Sequence, residues 1–249
     1  MSVKGTDVKL IFKMKRIIYL FIAVLIASLT FVSCKKDDGE KGINIQASEA
    51  KPEFDASNYG VYRGVFAVGN GCIVINLNNS GTTPVAHVEV NGKKYTLTTT
   101  DAPAEGVGTT ITFSKESDIV VFSVNANGTN PKITSATIAG KSEQVIVAKE
   151  TSTTVVECYL GTFSGGGVAG TFNMVITGDK LNVSYSFTGD TYPESYGSGN
   201  LSGNSISGSF SDGVTFTGTR NNGKLSGSWN NPGYAKGSWK STYKFTSSL

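Results

Sequence analysis

Few side chains in this sequence could do acid–base or nucleophilic chemistry, and their spacing forms no catalytic pattern. The 249 residues include one histidine, His87, and three cysteines. A histidine-based triad needs a nucleophile beside the base, and no nucleophile motif stands near His87. A zinc site needs three or four clustered Cys, His or carboxylate ligands, which this sequence lacks. We therefore predict no catalytic residue, no metal and no cofactor.

The scattered carboxylates leave one enzymatic alternative open. A glycosidase can draw its two acids from strands that are far apart in sequence. Glu89, Glu157 and Glu194 are the candidates for such a pair. Glycoside hydrolysis remains an alternative that we favour less than a binding role.

Cys34 is the cysteine with an informative chemical context. Lys15 and Arg16 precede an apolar run over residues 17–32, and Ser33 stands directly before the cysteine. A basic start, a short apolar core and a small residue are typical of a secretory signal peptide. The run is shorter than the roughly 20 residues that a membrane-spanning helix needs, so an uncleaved anchor is the lesser alternative. We assign residues 1–33 to an upstream extension and leader, with the true start at Met14.

The last three residues of the leader and Cys34 read Phe-Val-Ser-Cys (31–34), which resembles the lipobox of bacterial lipoproteins. By that resemblance Cys34 becomes the mature N-terminus, and acyl chains on it hold the protein to a membrane. Lys-Lys-Asp-Asp-Gly-Glu (35–40) resembles the acidic signal of Bacteroidota lipoproteins that are moved to the cell surface. The resemblance implies an outer-membrane lipoprotein displayed on the cell surface, with the periplasmic face as the alternative. Residues 34–55 then form the lipidated N-terminus and a flexible tether.

The net charge belongs mostly to the leader. Of the 22 Lys and Arg and the 19 Asp and Glu, five basic residues and one acid lie in residues 1–33. The remainder holds 17 basic and 18 acidic side chains, a net charge of −1. A nearly neutral mature chain has no basic surface for the phosphate backbone, so we expect no nucleic-acid partner.

Two further cysteines, Cys72 and Cys158, would meet an oxidising compartment outside the cytoplasm. A disulfide between them is possible. Two separate buried thiols that pack as small apolar residues are the alternative. The sequence does not decide between them, because a disulfide requires the Cα atoms to be within about 7 Å of each other.

Alternation of apolar and polar residues predicts an all-β protein. It runs through residues 72–77, 85–90, 119–124 and 144–147, and turn signals such as Asn91-Gly92 separate the runs. Asn-Gly between alternating runs is a strong signal for a β-hairpin, because a type I′ turn needs two residues at positive φ.

A short phrase with a central glycine recurs in the C-terminal half. It reads Ile-Ser-Gly-Ser-Phe at 206–210, Leu-Ser-Gly-Ser-Trp at 225–229 and Ala-Lys-Gly-Ser-Trp at 235–239. The glycine shares a face with the residues two before and two after it, and an inward glycine leaves room for a bulky neighbour. Similar phrases near Tyr62 and Tyr159 indicate two related halves, 56–150 and 151–249. We predict antiparallel meanders whose curved sheets form a barrel-like or sandwich assembly.

These features together resemble a group of uncharacterised Bacteroidota surface lipoproteins. The resemblance covers most of residues 58–180, through Tyr-Arg-Gly-Val-Phe (62–66) and Tyr-Leu-Gly-Thr-Phe (159–163). It implies the same fold and envelope location, and it implies no activity.

Three tyrosines are the candidate ligand-binding residues. Tyr192 and Tyr196 fall in a predicted loop, and Tyr234 falls in the turn between the strands that carry Trp229 and Trp239. Exposed aromatic rings beside polar side chains can stack on sugar rings, so a glycan is the ligand class we favour. The two tryptophans are expected to point into the core. The sequence thus favours a lipid-anchored, non-enzymatic binding or accessory module, with an envelope-protein interaction role as the alternative.

Overall fold

The computed structural model describes residues 47–79, 81 and 83–244. Cys34, the leader and residues 35–46 of the predicted tether lie outside these residues. Within them the helical structure is one 3-10 turn, Pro52–Phe54, and no helix is long and apolar enough to cross a bilayer. The all-β, antiparallel fold predicted from the alternation is confirmed.

The first sheet has nine strands. They are β1 (Gly60–Phe66), β2 (Gly71–Leu77), β3 (Val85–Val90), β4 (Lys93–Thr98), β5 (Thr109–Lys115), β6 (Asp118–Val124), β7 (Lys132–Ile138), β8 (Lys141–Ser142) and β9 (Val145–Glu150). Strands β1 to β8 form a meander, and β9 returns to pair with β1. The aromatic and aliphatic residues of its concave side form one core that includes Tyr62, Phe113 and Phe122.

The second sheet is a closed eight-stranded barrel. Its strands are β10 (Val156–Gly165), β11 (Val168–Thr177), β12 (Lys180–Phe187), β13 (Ser195–Ser202), β14 (Ser205–Phe210), β15 (Thr215–Asn221), β16 (Lys224–Asn231) and β17 (Ala235–Lys244). Each strand pairs with the next in sequence, and β17 pairs back with β10 from Cys158–Lys244 to Ser164–Ser238. This last pairing leaves the barrel without an edge strand.

The first sheet is open because β9 pairs with β1 but not with β7 or β8. Ser135 pairs with Val121 and Ile133 pairs with Phe122, so Thr134 is an extra residue in β7, a β-bulge. A bulge bends its strand and increases the local twist, so the regular course of β7 is interrupted beside β9. We call the gap between Lys132–Thr134 of β7 and Val145–Val147 of β9 the seam. The outer edge of β9 pairs with no strand of the described chain.

Turn chemistry and inward glycines act as the sequence predicts. Asn91 and Gly92 have φ angles of 51° and 80° and join β3 to β4 in a two-residue hairpin. In the barrel, a Cβ on Gly218 would lie 2.5 Å from Cζ2 of Trp239 and 2.5 Å from the carbonyl oxygen of Ser226. Glycine is therefore required there so that the tryptophan can pack across the barrel interior.

A buried ion network fixes the N-terminal segment where the sheet meets the barrel. Arg63 and Glu150 are 3% and 1% exposed, and the Arg63 Nε donates to Glu150 Oε2 at 2.7 Å. Arg63 Nη2 lies 2.7 Å from Glu49 Oε2, in the segment that leads into β1. Glu150 also accepts from the Ser48 hydroxyl and from the backbone N–H groups of Glu49 and Val156. One carboxylate therefore connects the entering chain, β1 and the start of the barrel.

The sheet–barrel junction also holds the two cysteines, whose pairing the sequence left open. Cys72 and Cys158 are both buried thiols, so the possible disulfide is not formed. Cys158 lies in an apolar cluster with Val65, Val156 and Val175. Burial first, and then the neighbouring Cys72, raises the pKa of the Cys158 thiol. The arrangement is that of two thiols packed as small apolar residues.

Candidate binding site at the mouth of the closed barrel

The closed barrel has a cavity at one of its two ends. Connections β10–β11, β12–β13, β14–β15 and β16–β17 lie at this end, which we call the mouth. The cavity has a volume of about 220 Å³. Its lining is mainly aromatic and aliphatic: Phe163, Val168, Phe172, Tyr185, Phe187, Phe210, Val214, Trp229, Asn231, Tyr234 and Ala235.

Strand alternation and strand direction place these side chains. Strands β10, β14 and β16 run toward the mouth, and each carries the glycine phrase. The aromatic residue two positions after the glycine is therefore nearer the mouth than the glycine: Phe163, Phe210 and Trp229. In β11 and β17, which run the other way, the same phrase places Phe172 and Trp239 deeper.

The rings of the wall and floor pack against one another in a defined geometry. Phe163 meets Trp229 edge-on at 5.9 Å between centroids, and Tyr185 meets Phe210 edge-on at 4.8 Å. Beneath them Phe172 stacks on Trp239 at 4.7 Å, with 15° between the ring planes. Contacts of this kind hold aromatic side chains in fixed orientations. The cavity is thus bounded by a preformed set of rings.

The polar atoms of the wall are already bonded to the protein. The Tyr185 hydroxyl donates to Asp212 Oδ2, and Trp229 Nε1 donates to the carbonyl oxygen of Ser164 at 3.2 Å. Burial, and then the bond to Asp212, raises the pKa of Tyr185, which keeps its hydroxyl protonated. The interior surface of the cavity is therefore apolar in character even where Tyr and Trp contribute to it.

The rim of the cavity differs from its wall. Tyr234 is 88% exposed in the β16–β17 turn, and the Asn231 side chain faces the mouth from the end of β16. No hydrogen bond joins the Asn231 side-chain amide to another residue of the described chain. Tyr234 and Asn231 are thus a ring and an amide that a bound molecule can reach.

The structure separates the three tyrosines that the sequence analysis singled out. Tyr234 is at the rim of the cavity. Tyr192 is 60% exposed in the connection between β12 and β13 and does not line the cavity. Tyr196 points outward from β13, and its hydroxyl donates to Gln144 Oε1 of the first sheet's last connection. These three rings do not form one shared stacking surface.

The other candidates for chemistry are also apart. Glu157 lies at the start of β10, where its carboxylate accepts hydrogen bonds from the Tyr159 hydroxyl at 2.6 Å and from Arg220 Nη1 at 2.8 Å. Glu194 lies in the mouth connection before β13, at the opposite end of the barrel. They cannot form the pair of acids, about 5–10 Å apart, that glycoside hydrolysis uses. Glu89 pairs with Lys244 at 3.8 Å, and His87 is on the outer face beside Thr96.

Sequence reasoning missed most of the cavity lining, although a signal for it was present. The glycine phrase identified inward aromatics, and Trp229 and Trp239 are indeed buried. Combining that phrase with strand direction would have grouped Phe163, Phe210 and Trp229 at one end of a meander. Among the described residues no cluster of His, Cys, Asp or Glu could hold a metal ion.

Comparison with known proteins adds no assignment. No protein-family model, curated protein or solved structure matches the chain.

Proposed function

We propose that this protein is a non-enzymatic binding module held to the bacterial envelope by a lipid on Cys34. The support for the anchor comes from the sequence: the basic start, the short apolar run and the Phe-Val-Ser-Cys motif. The segment Lys-Lys-Asp-Asp-Gly-Glu after Cys34 supports a location in the outer membrane, with the folded part of the protein at the cell surface. Several acyl chains anchor a protein firmly where a single chain does not.

The binding site of this module is the mouth of the closed barrel. The observation that carries this proposal is the aromatic-lined cavity, which is open to the surface in a barrel whose other interior positions are packed. Concave sites with largely apolar walls and a few convergent polar groups are typical binding sites. The mouth of a β-barrel is one of the places where such sites recur.

A glycan is the ligand class that the rim supports. The exposed Tyr234 ring offers a face for a sugar ring, and the Asn231 amide can bond a hydroxyl beside it. Tyr192 and Tyr196 do not contribute to this rim. The glycan proposal therefore now depends on Tyr234 and Asn231.

Glycan binding predicts a sharp difference between two exposed tyrosines of the mouth connections. Tyr234→Ala should weaken binding to any glycan that the wild-type protein selects from an array by about 10-fold, because aromatic stacking of this kind contributes about 1–3 kcal/mol in the comparable case of nucleobases. Tyr192→Ala is the matched control and should leave binding unchanged. Equal glycan binding by the wild-type protein and Tyr234→Ala, or no binding to any glycan on the array, would contradict a glycan site at the rim.

The anchor predicts covalent labelling at one cysteine. Cells grown with an alkyne fatty acid should label the wild-type protein, and Cys34→Ser should abolish the label and release the protein from the membrane fraction. Cys72→Ser is the control and should label normally. Labelling that survives Cys34→Ser would contradict a lipid anchor on Cys34.

The seam of the first sheet favours a second candidate, docking to another envelope protein. Lys132–Thr134 of β7 and Val145–Val147 of β9 line a cleft there together with Tyr196 of the barrel. Edge groups of this kind can pair with an added strand. If no glycan on the array binds and an envelope protein cross-links to residues of this seam, the second candidate would be favoured.

A further inference from the structure

We propose that the cavity beneath the rim binds a small apolar molecule of one or two rings. This inference rests on the proposed binding function of the mouth, and it names a ligand class different from the one that the rim supports. It is carried by the chemistry of the wall, the volume of the cavity and the arrangement of the aromatic rings.

The wall selects against hydroxyl-rich molecules. The Trp229 Nε1 and the Tyr185 hydroxyl are directed to Ser164 and Asp212 of the protein. A sugar hydroxyl placed among Phe163, Phe187 and Phe210 would lose its bonds to water without gaining a partner. Burying a polar group without a hydrogen bond is unfavourable, whereas burying apolar surface there is favourable.

The volume bounds the size of the molecule. An apolar cavity of about 150 Å³ binds benzene, and this cavity has about 220 Å³. A single ring with a substituent or two fused rings fit this space. A long acyl chain does not, because the floor formed by Phe172 and Trp239 closes the barrel below the cavity.

The rings and the small residues around the cavity fit a flat guest. Phe163, Tyr185, Phe210 and Trp229 pack edge to face, which presents ring edges and faces in several directions. Offset and edge-on contacts are the arrangements that aromatic guests prefer. Val214 and Ala235 line the space without filling it.

The test uses 5-fluoroindole and the lipid-anchored protein in nanodiscs, with empty nanodiscs subtracted. A ¹⁹F resonance of bound 5-fluoroindole should appear with the wild-type protein. Val214→Trp, which places an indole in the cavity, should weaken binding at least 10-fold. Val107→Trp is the matched control, since Val107 is 54% exposed in the β4–β5 connection, and it should bind as the wild type does.

A second variant keeps the inference falsifiable if Val214→Trp does not fold. Phe187→Ala enlarges the cavity and should bind 2-fluoroanthracene, whose three fused rings exceed the wild-type space, at least 10-fold more tightly than the wild type does. An absent bound resonance with the wild type, or equal binding of 5-fluoroindole by Val214→Trp and wild type, would overturn the inference. Glycan binding that depends on Tyr234 in a protein that ignores 5-fluoroindole would overturn it while leaving the proposed function standing.

Discussion

Glu150→Ala should lower the free energy of unfolding by about 3–5 kcal/mol, because it leaves the buried Arg63 guanidinium without its best-buried carboxylate. The change removes the acceptor that Arg63 Nε meets at 2.7 Å. It also removes the acceptor of the Ser48 hydroxyl and of two backbone N–H groups. Chemical denaturation of the wild-type protein and the variant measures the difference. The N-terminal segment before β1 should also lose protection from hydrogen exchange.

Two further variants test whether the loss comes from the unpaired charge. Glu105→Ala removes an exposed carboxylate from the β4–β5 connection and should change stability by less than about 0.5 kcal/mol. Arg63→Met combined with Glu150→Met should cost less than the two single changes added together, since the pair then leaves no buried charge of its own. A loss below about 1 kcal/mol for Glu150→Ala would mean that the network contributes little to folding.

The second large effect is expected at the floor of the cavity. Trp239→Ala should lower the free energy of unfolding by about 3–5 kcal/mol, the usual range for deleting a buried large aromatic side chain. Trp239 is 2% exposed and stacks on Phe172. Its Nε1 also donates to the carbonyl oxygens of Thr217 and Ser228 at 3.1 and 3.2 Å. The indole thus fills the barrel and bonds its wall at the same time.

The matched control for Trp239→Ala is an aromatic deletion on the same hairpin. Tyr234→Ala removes a ring that is 88% exposed and should change stability by less than about 0.5 kcal/mol. Denaturation followed by tyrosine and tryptophan fluorescence measures both variants. A Trp239→Ala protein that is as stable as the wild type would contradict tight packing of the barrel interior around this tryptophan.

The two positions, Trp239 and Glu150, differ in how well the sequence predicts that they are buried. The glycine phrase predicts an inward residue at Trp239, because side chains alternate along a strand and glycine leaves room for a large neighbour. Gly218 supplies that room from β15, two strands away in the barrel. Nothing local marks Glu150, which is 87 residues from Arg63 in sequence.

The candidate site likewise combines a residue that the sequence predicts correctly with residues that it does not. The sequence pointed to Tyr234, which is at the rim of the cavity. It also grouped Tyr192 and Tyr196 with it, but β13 begins at Ser195, and the alternation from there turns Tyr196 outward to Gln144. A shift of one residue reverses the face of every side chain on a strand. The position of the strand's first residue was therefore enough to direct Tyr196 away from the cavity.

The amino-acid sequence by itself determined the all-β class, the Asn91-Gly92 hairpin, and the inward glycines and tryptophans. These depend on neighbours within a few residues, through turn geometry and the two-residue period of a strand. Tertiary structure decided which sheet closed, whether Cys72 and Cys158 joined, and where the cavity lies. The barrel closes because β17 pairs with β10, whereas β7 and β9 of the first sheet do not pair. Pairings between such distant strands leave no periodic trace in the sequence, because they are fixed by the summed packing of the whole sheet.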